Sequence, residues 1–285
     1  ARGVKFRAPL CDEPFVDGPP AALAAAPADD LVVIGGGGLF MDYFEPFWRG
    51  FEPLAAGRRF VIWGAGYVDL KAEPSRPARD LGRRIVARAE LAVVRDDLTR
   101  DLLGSDLRLP AAVPCPSLAA LDDRGRPVAE HGVLHVNNYT TVGAEAYEVM
   151  RTVGGAFAER TGRVYRETNN RIEPGREDEL TAVVDRYRRS DLVLSSALHG
   201  CVIAVALGRP VLAVSGDRKI EAFMAAMGLE DWVLEPDDLD GLPGLLAGLD
   251  RQASTSAAVG RAVAANRAVA RSVAALVRRR EVAVP

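Results

Sequence analysis

Between Asp191 and Lys219 the chain reads DLVLSSALHGCVIAVALGRPVLAVSGDRK, and few folds can hold such a stretch. The runs Leu192 to Leu194 and Val211 to Val214 are too short and too uniformly apolar for strands with one face in water. They fit the interior of a parallel sheet that is covered on both faces. The equally apolar run from Gly200 to Leu207 reads as a buried helix, stopped by Gly208 with Pro210 two residues on. Ser195 and Ser196 offer side-chain oxygens where that helix begins, and Ser196 is the expected N-cap. His199 then falls in the first helical turn, at the carboxyl end of a strand, where open α/β sheets gather their ligands. Unpaired N–H groups and the positive end of the helix dipole favour an anion there. The turn after the second strand carries Asp217, Arg218 and Lys219 to the same edge.

The remaining sequence repeats this alternation in two blocks. In the first, Val4 to Arg7, Leu31 to Ile34, Arg59 to Trp63, Leu91 to Val94 and Val113 to Leu118 read as strands. Between them helices are expected from about Leu39, over Pro77 to Glu90 and over Leu98 to Leu103. A polar stretch rich in turn residues, Leu121 to Gly132, reads as a linker. The second block opens with a strand at Val133 to Val136, a helix over Ala144 to Glu159, a strand at Arg163 to Arg166 and a helix over Arg176 to Arg188. After the central stretch come a helix to Met227, a short strand at Trp232 to Leu234 and an Ala-rich helix from Ser256 to Arg280. The expected class is α/β, with two Rossmann-type doubly wound domains, residues 1–122 and 123–285, the second carrying C-terminal helices.

Several strand ends carry groups that could meet a ligand. Gly35 to Gly38 allow a tight turn with exposed N–H groups, but no Gly-Lys-Ser/Thr follows, which argues against a P-loop. Gly64-Ala65-Gly66-Tyr67 opens like a dinucleotide fingerprint and then places Asp69 where the third glycine belongs. Arg95 and Asp96 follow a strand, with Thr99 shortly after; such a pair can hold a turn together or present a charge. Asn137 and Asn138 open a turn dense in hydrogen-bonding groups, suited to reading a sugar or to an ordinary polar loop.

Composition narrows the classes. With 36 basic and 39 acidic residues the net charge is −3, which gives no electrostatic case for nucleic acid, so any anion site is local. Cys11, Cys115 and Cys201 are far apart and unpaired in sequence, which suits a reducing, cytoplasmic setting. His131, His135 and His199 lack metal-ligand spacing, so no metal is expected. Cys201 to Leu207, the longest plainly apolar run, is far short of a membrane span, and no secretory signal is visible in a sequence that begins at Ala1. Membrane association is not indicated.

The pattern Ser195, Leu198-His199-Gly200, Gly208, Pro210 and Lys219 resembles the signature of the polysaccharide pyruvyl transferase family, in which Ala197 stands where the family carries Arg. The resemblance extends to the glycine run with Asp42 after it, to the Gly64 turn and to Arg95-Asp96-Thr99. It implies a GT-B-like fold, two Rossmann-type domains with the active site in the cleft between them. The implied activity moves a pyruvate group from phosphoenolpyruvate to a sugar diol as a cyclic ketal in polysaccharide biosynthesis, with phosphoenolpyruvate as donor substrate and no separate cofactor. In that reading His199 and Asp42 are catalytic. Gly36, Gly37, Gly64, Tyr67, Arg95, Asn137, Asn138, Ser195, Ser196, Gly200, Arg218 and Lys219 bind substrate, Lys219 being the leading cation for the donor. Two other readings stay open: a glycosyltransferase using a nucleotide sugar, and a catalytically silent binding or scaffold protein.

Overall fold

The computed structural model describes residues 18–19, 21–72, 79–121, 130–170, 172 and 179–281. The strand expected at Val4 to Arg7, most of the linker expected from Leu121 and the expected starts of two helices, at Pro77 and Arg176, lie outside them. Packing divides the chain into two compact units. The first takes the described residues up to Val68, from Ser75 to Pro116 and from Ala264 on; the second takes Asp69–Pro74 and Ser117–Val263.

In the first unit, α1 (Ala21–Ala25) precedes β1 (Val32–Gly35), α2 (Glu45–Ala55), β2 (Phe60–Trp63), α3 (Arg79–Val86), β3 (Leu91–Val93) and α4 (Asp97–Leu103). The strands form one parallel sheet in the order β1-β2-β3. Side chains alternate across it, as the two-residue strand period requires. Ile34, Phe60, Ile62, Ala92 and Val94 join one apolar cluster with Phe51 of α2, Ile85 of α3 and Leu103 of α4. Val61 and Val93 face the other way, onto Val113, Val269 and Val273. Both faces are therefore covered, which is why these strands tolerate no polar face.

The second unit comprises α5 (Ser117–Ala120), β4 (Gly132–Val136), α6 (Tyr139–Arg160), β5 (Val164–Thr168), α7 (Glu179–Arg188), β6 (Leu192–Ser195), α8 (Leu198–Ala206), β7 (Val211–Val214), α9 (Arg218–Ala226), β8 (Val233–Leu234) and α10 (Leu242–Gly248). The last helix, α11 (Ser256–Glu281), begins here and continues with residues of the first unit. All five strands are parallel, in the order β5-β4-β6-β7-β8. Val133, Leu192, Leu194, Leu212 and Val214 pack with α6 and α10 on one face. Helix α8 packs on β6 and β7 and touches α7 and α9. Counted from β4, the spatial order is second, first, third, fourth, fifth, a doubly wound order whose switch point lies between β4 and β6.

Three expectations are corrected. Val113 to Leu118 is not a strand: Val113 N–H reaches Val94 O at 3.0 Å, then Pro114 and Pro116 cannot donate to a ladder and α5 begins at Ser117. The helix expected from Leu39 starts later, with a 3-10 turn at Asp42–Phe44 that leads into α2. Residues Leu39 and Phe40 are held extended, because Phe40 pairs with Tyr67 and Leu39 O accepts the indole N–H of Trp48 at 2.7 Å. Helix α8 begins at Leu198, two residues before Gly200.

His135 on β4 is fully buried, which no sequence signal announced. Its Nδ1 meets Tyr165 Oη at 2.8 Å, and Tyr165 Oη lies 3.0 Å from Glu167. Burial pulls its pKa down to about 4, against a weaker upward pull from Glu167. The folded pKa therefore lies below the unfolded one, near 6.5. Stability from this group is complete above that value and is lost as pH falls through the window toward 4. The linkage amounts to about 2 kcal/mol by pH 5. His135→Gln should flatten the slope of unfolding free energy against pH between 7 and 5 in urea titrations; parallel slopes for parent and variant would refute the assignment.

Candidate active site

The carboxyl ends of β4 and β6 are tied together by hydrogen bonds. Ser196 N–H donates to Val136 O at 2.9 Å, and Ser196 Oγ accepts the N–H of Asn138 at 2.7 Å. Thr141 Oγ1 donates to Asn138 O at 2.8 Å, and Thr140 Oγ1 to Asn138 Oδ1 at 2.7 Å. Asn137 N–H donates to Thr168 O, at the end of β5, at 2.8 Å. Ser196 is thus a buried brace between two strand exits, and the expected cap role is corrected. Ala197 is the N-cap, in extended conformation and with no side-chain cap bond. Ser195 acts within its own turn, where its Oγ accepts Ala197 N–H at 3.2 Å and donates to Ala197 O at 2.9 Å, folding the chain into α8.

Gly200 is a matter of space. A β-carbon there would collide with Ser195 Oγ and crowd the Val136 side chain, so only glycine lets α8 lie this close to the strand ends. His199, one residue earlier, is exposed at the first turn. The leading N–H groups of a helix have no partner within it. The switch point therefore presents an imidazole, the start of a nine-residue helix and the Asn137-Asn138 turn.

The β7 exit behaves differently. Asp217 is fully buried and caps α9, its Oδ1 accepting Lys219 N–H at 3.2 Å and Asp69 N–H at 3.3 Å. Lys219 Nζ pairs with Asp217 Oδ2, so the leading candidate cation already faces a buried carboxylate. Arg218 is exposed and pairs with Asp69 at 3.3 Å. Lys71 bridges Glu221 and Glu235. Burial works against its charge, but the hydrogen bonds to these two carboxylates outweigh it and leave its pKa raised. A shallow cavity of about 310 Å³ is lined by Asp69, Leu70, Lys71, Arg218, Glu221 and Glu235. Gly216 is required here because a β-carbon would strike Thr141 O.

In the first unit the other candidates have structural partners. Gly36 and Gly37 both adopt φ of 80°, and Gly64 adopts 76°, values that disfavour side chains. Gly36 N–H is bonded to Trp63 O at 3.2 Å, so it is not offered to a ligand. Asp42 is exposed and accepts Tyr43 N–H at 2.9 Å. Tyr67 is buried, with its N–H donated to Thr99 Oγ1 at 2.8 Å. Arg95 is buried too: Nε donates to Asp96 at 2.8 Å and Nη2 to Tyr67 O at 2.9 Å, while the guanidinium fills the space a β-carbon on Gly66 would need.

Among the described residues no group of three or more His, Cys, Asp or Glu side chains could hold a metal ion, and no helix is long and apolar enough to cross a membrane. Cys115 and Cys201 are buried thiols, and burial raises the Cys201 thiol pKa to about 12. That thiol is thus no nucleophile at neutral pH.

The architecture and the switch-point site define a Rossmann-like α/β protein, with hydrogen-bonding groups and an exposed imidazole gathered where such folds bind ligands. The polysaccharide pyruvyl transferase family model matches residues 4–218, and the chain belongs to that family. Among solved structures it is similar to alpha,alpha-trehalose 6-phosphate synthase from Burkholderia multivorans, with 13% identity over 89% of this chain and 73% of that chain and a TM-score of 0.44. Comparison with curated proteins found no match.

Proposed function

We propose that the protein transfers a pyruvyl group from phosphoenolpyruvate to two hydroxyls of a sugar-containing acceptor, forming a cyclic ketal. The observation that carries the reading is the exposed His199 at the first turn of α8, beside the Asn137-Asn138 turn, in a member of this family. Phosphoenolpyruvate must gain a proton at its methylene carbon, which leaves an oxocarbenium-like centre at C2. One sugar hydroxyl adds there and loses its proton; phosphate departs with the electron pair of its C–O bond. The second hydroxyl then adds to C2, loses its proton and closes the ring. One proton enters and two leave, and inorganic phosphate is the by-product.

An imidazole is suited to giving and taking these protons near neutral pH. The N–H groups at the start of α8 suit the donor's negative charge, and the amide and hydroxyl groups of Asn137, Asn138 and Thr140 suit a sugar. A thermal-shift series with phosphoenolpyruvate and with uridine and guanosine diphosphate sugars tests the reading. Ligand at 100 times its Kd should add about 2.7 kcal/mol to stability and raise Tm with phosphoenolpyruvate. A rise with a nucleotide sugar alone would replace the reading by glycosyl transfer.

A further inference from the structure

Resting on the pyruvyl-transfer reading, we infer that Arg186 of α7 is the cation that holds the donor's anionic groups. Phosphoenolpyruvate carries a phosphate and a carboxylate, and fixed cations are the natural partners of both. The basic groups that follow β7 are already engaged: Lys219 with Asp217 and Arg218 with Asp69. Lys71, at the neighbouring cavity, lies between Glu221 and Glu235. Each of these cations is already matched by at least one carboxylate.

Arg186 is exposed and, among the described residues, faces no carboxylate. Its guanidinium is nevertheless held: Nη1 donates to Thr168 Oγ1 at 2.7 Å, and Thr168 is itself buried at the end of β5. The carbonyl oxygen of the same Thr168 accepts the N–H of Asn137. Guanidinium and Asn137 turn are thus fixed by two oxygens of one residue, on the strand beside β4. The ends of β5 and β6 are two strand spacings apart, about 10 Å. In the inferred arrangement the three-carbon phosphoester spans from the guanidinium at the β5 end to His199 at the β6 exit. Such a placement puts one anionic group of the donor over β5 and β4, leaves the other to the N–H groups at the start of α8, and turns the methylene toward His199. A planar guanidinium also has donors to spare after one bond to Thr168, and its fork matches phosphate or carboxylate oxygens.

Calorimetric titration of phosphoenolpyruvate into the parent, Arg186→Gln and Arg186→Lys tests the assignment. The Gln variant should bind about 10- to 100-fold more weakly, the loss expected for a charge-assisted hydrogen bond. The Lys variant should fall between, because it keeps the charge without the fork. Tm of the unliganded Gln variant should stay close to the parent's, since Arg186 is exposed and surface substitutions cost little. Inorganic phosphate, titrated as a second probe, should show the same order. If Arg186→Gln fails to fold, Thr168→Val decides: it frees the guanidinium from its anchor and should weaken donor binding at least threefold. A Gln variant with parental affinity, or in its absence a Val variant with parental affinity, overturns the role of Arg186 and leaves the pyruvyl-transfer reading standing. No binding of phosphoenolpyruvate by the parent itself removes both.

Discussion

His199→Ala should lower the rate of acceptor-dependent phosphate release by about 10² to 10⁴, the usual cost of removing a general acid–base group. Its unfolding free energy in urea should stay within about 0.5 kcal/mol of the parent's, as for other surface substitutions. The two halves of this expectation come from different observations. Exposure at the first turn of α8, with the helix's packed face carried by Leu198, Gly200 and Cys201, means that the imidazole contributes little to the core. Position at the switch point puts it where such folds gather their ligands. Donor affinity measured by calorimetry should change far less than the rate, since in the proposed reaction this group moves protons rather than holding the anion. A variant with full activity removes the acid–base role. One that melts far below the parent would show a packed histidine instead.

How far the sequence alone reaches can be followed residue by residue. The buried strands are legible because a parallel sheet covered on both faces demands short apolar runs, and Leu192 to Leu194 and Val211 to Val214 are such runs. Gly208 is legible as a helix stop because its φ of 66° is a backbone state that glycine adopts readily. Ser196 is not, since both serines satisfy the local rule for a cap and only the fold decides which hydroxyl faces where. One turns onto Ala197; the other meets Asn138, 58 residues away in sequence. Arg186 passes for one more solvated side chain of an amphipathic helix. Its partner Thr168 lies across the β5–α7 connection, and no spacing rule links the two. Asp217 makes the same point for charge: Lys219 looks like a free cation because the carboxylate two residues before it gives no sign of being buried. Prolines 114 and 116 do warn against a strand, since neither can donate to a ladder.

Asp96→Ala should destabilise the protein by about 4 kcal/mol, because it strands the buried guanidinium of Arg95 and removes the cap of α4 together. The Asp96 carboxylate accepts from Thr99 N–H at 2.9 Å and from Arg95 Nε at 2.8 Å, and both side chains of the ion pair are almost wholly shielded from water. Thr99 Oγ1 in turn accepts Tyr67 N–H, and Arg95 Nη2 donates to Tyr67 O, so both polar groups of the Tyr67 backbone depend on this pair. Asp96→Asn separates the contributions. Its amide oxygen can still accept from Thr99 N–H, so the cap survives while the charge partner of Arg95 is lost, and the cost should be smaller than for alanine. The double variant Arg95→Met, Asp96→Ala should regain part of the loss, since no buried charge is left without a partner. Urea denaturation of the three variants decides between a brace and a substrate-binding arginine. Parental stability in Asp96→Ala, combined with weakened phosphoenolpyruvate binding, would return Arg95 to the donor site. A large loss that the double variant partly reverses would keep it as the brace that shapes the β3 exit.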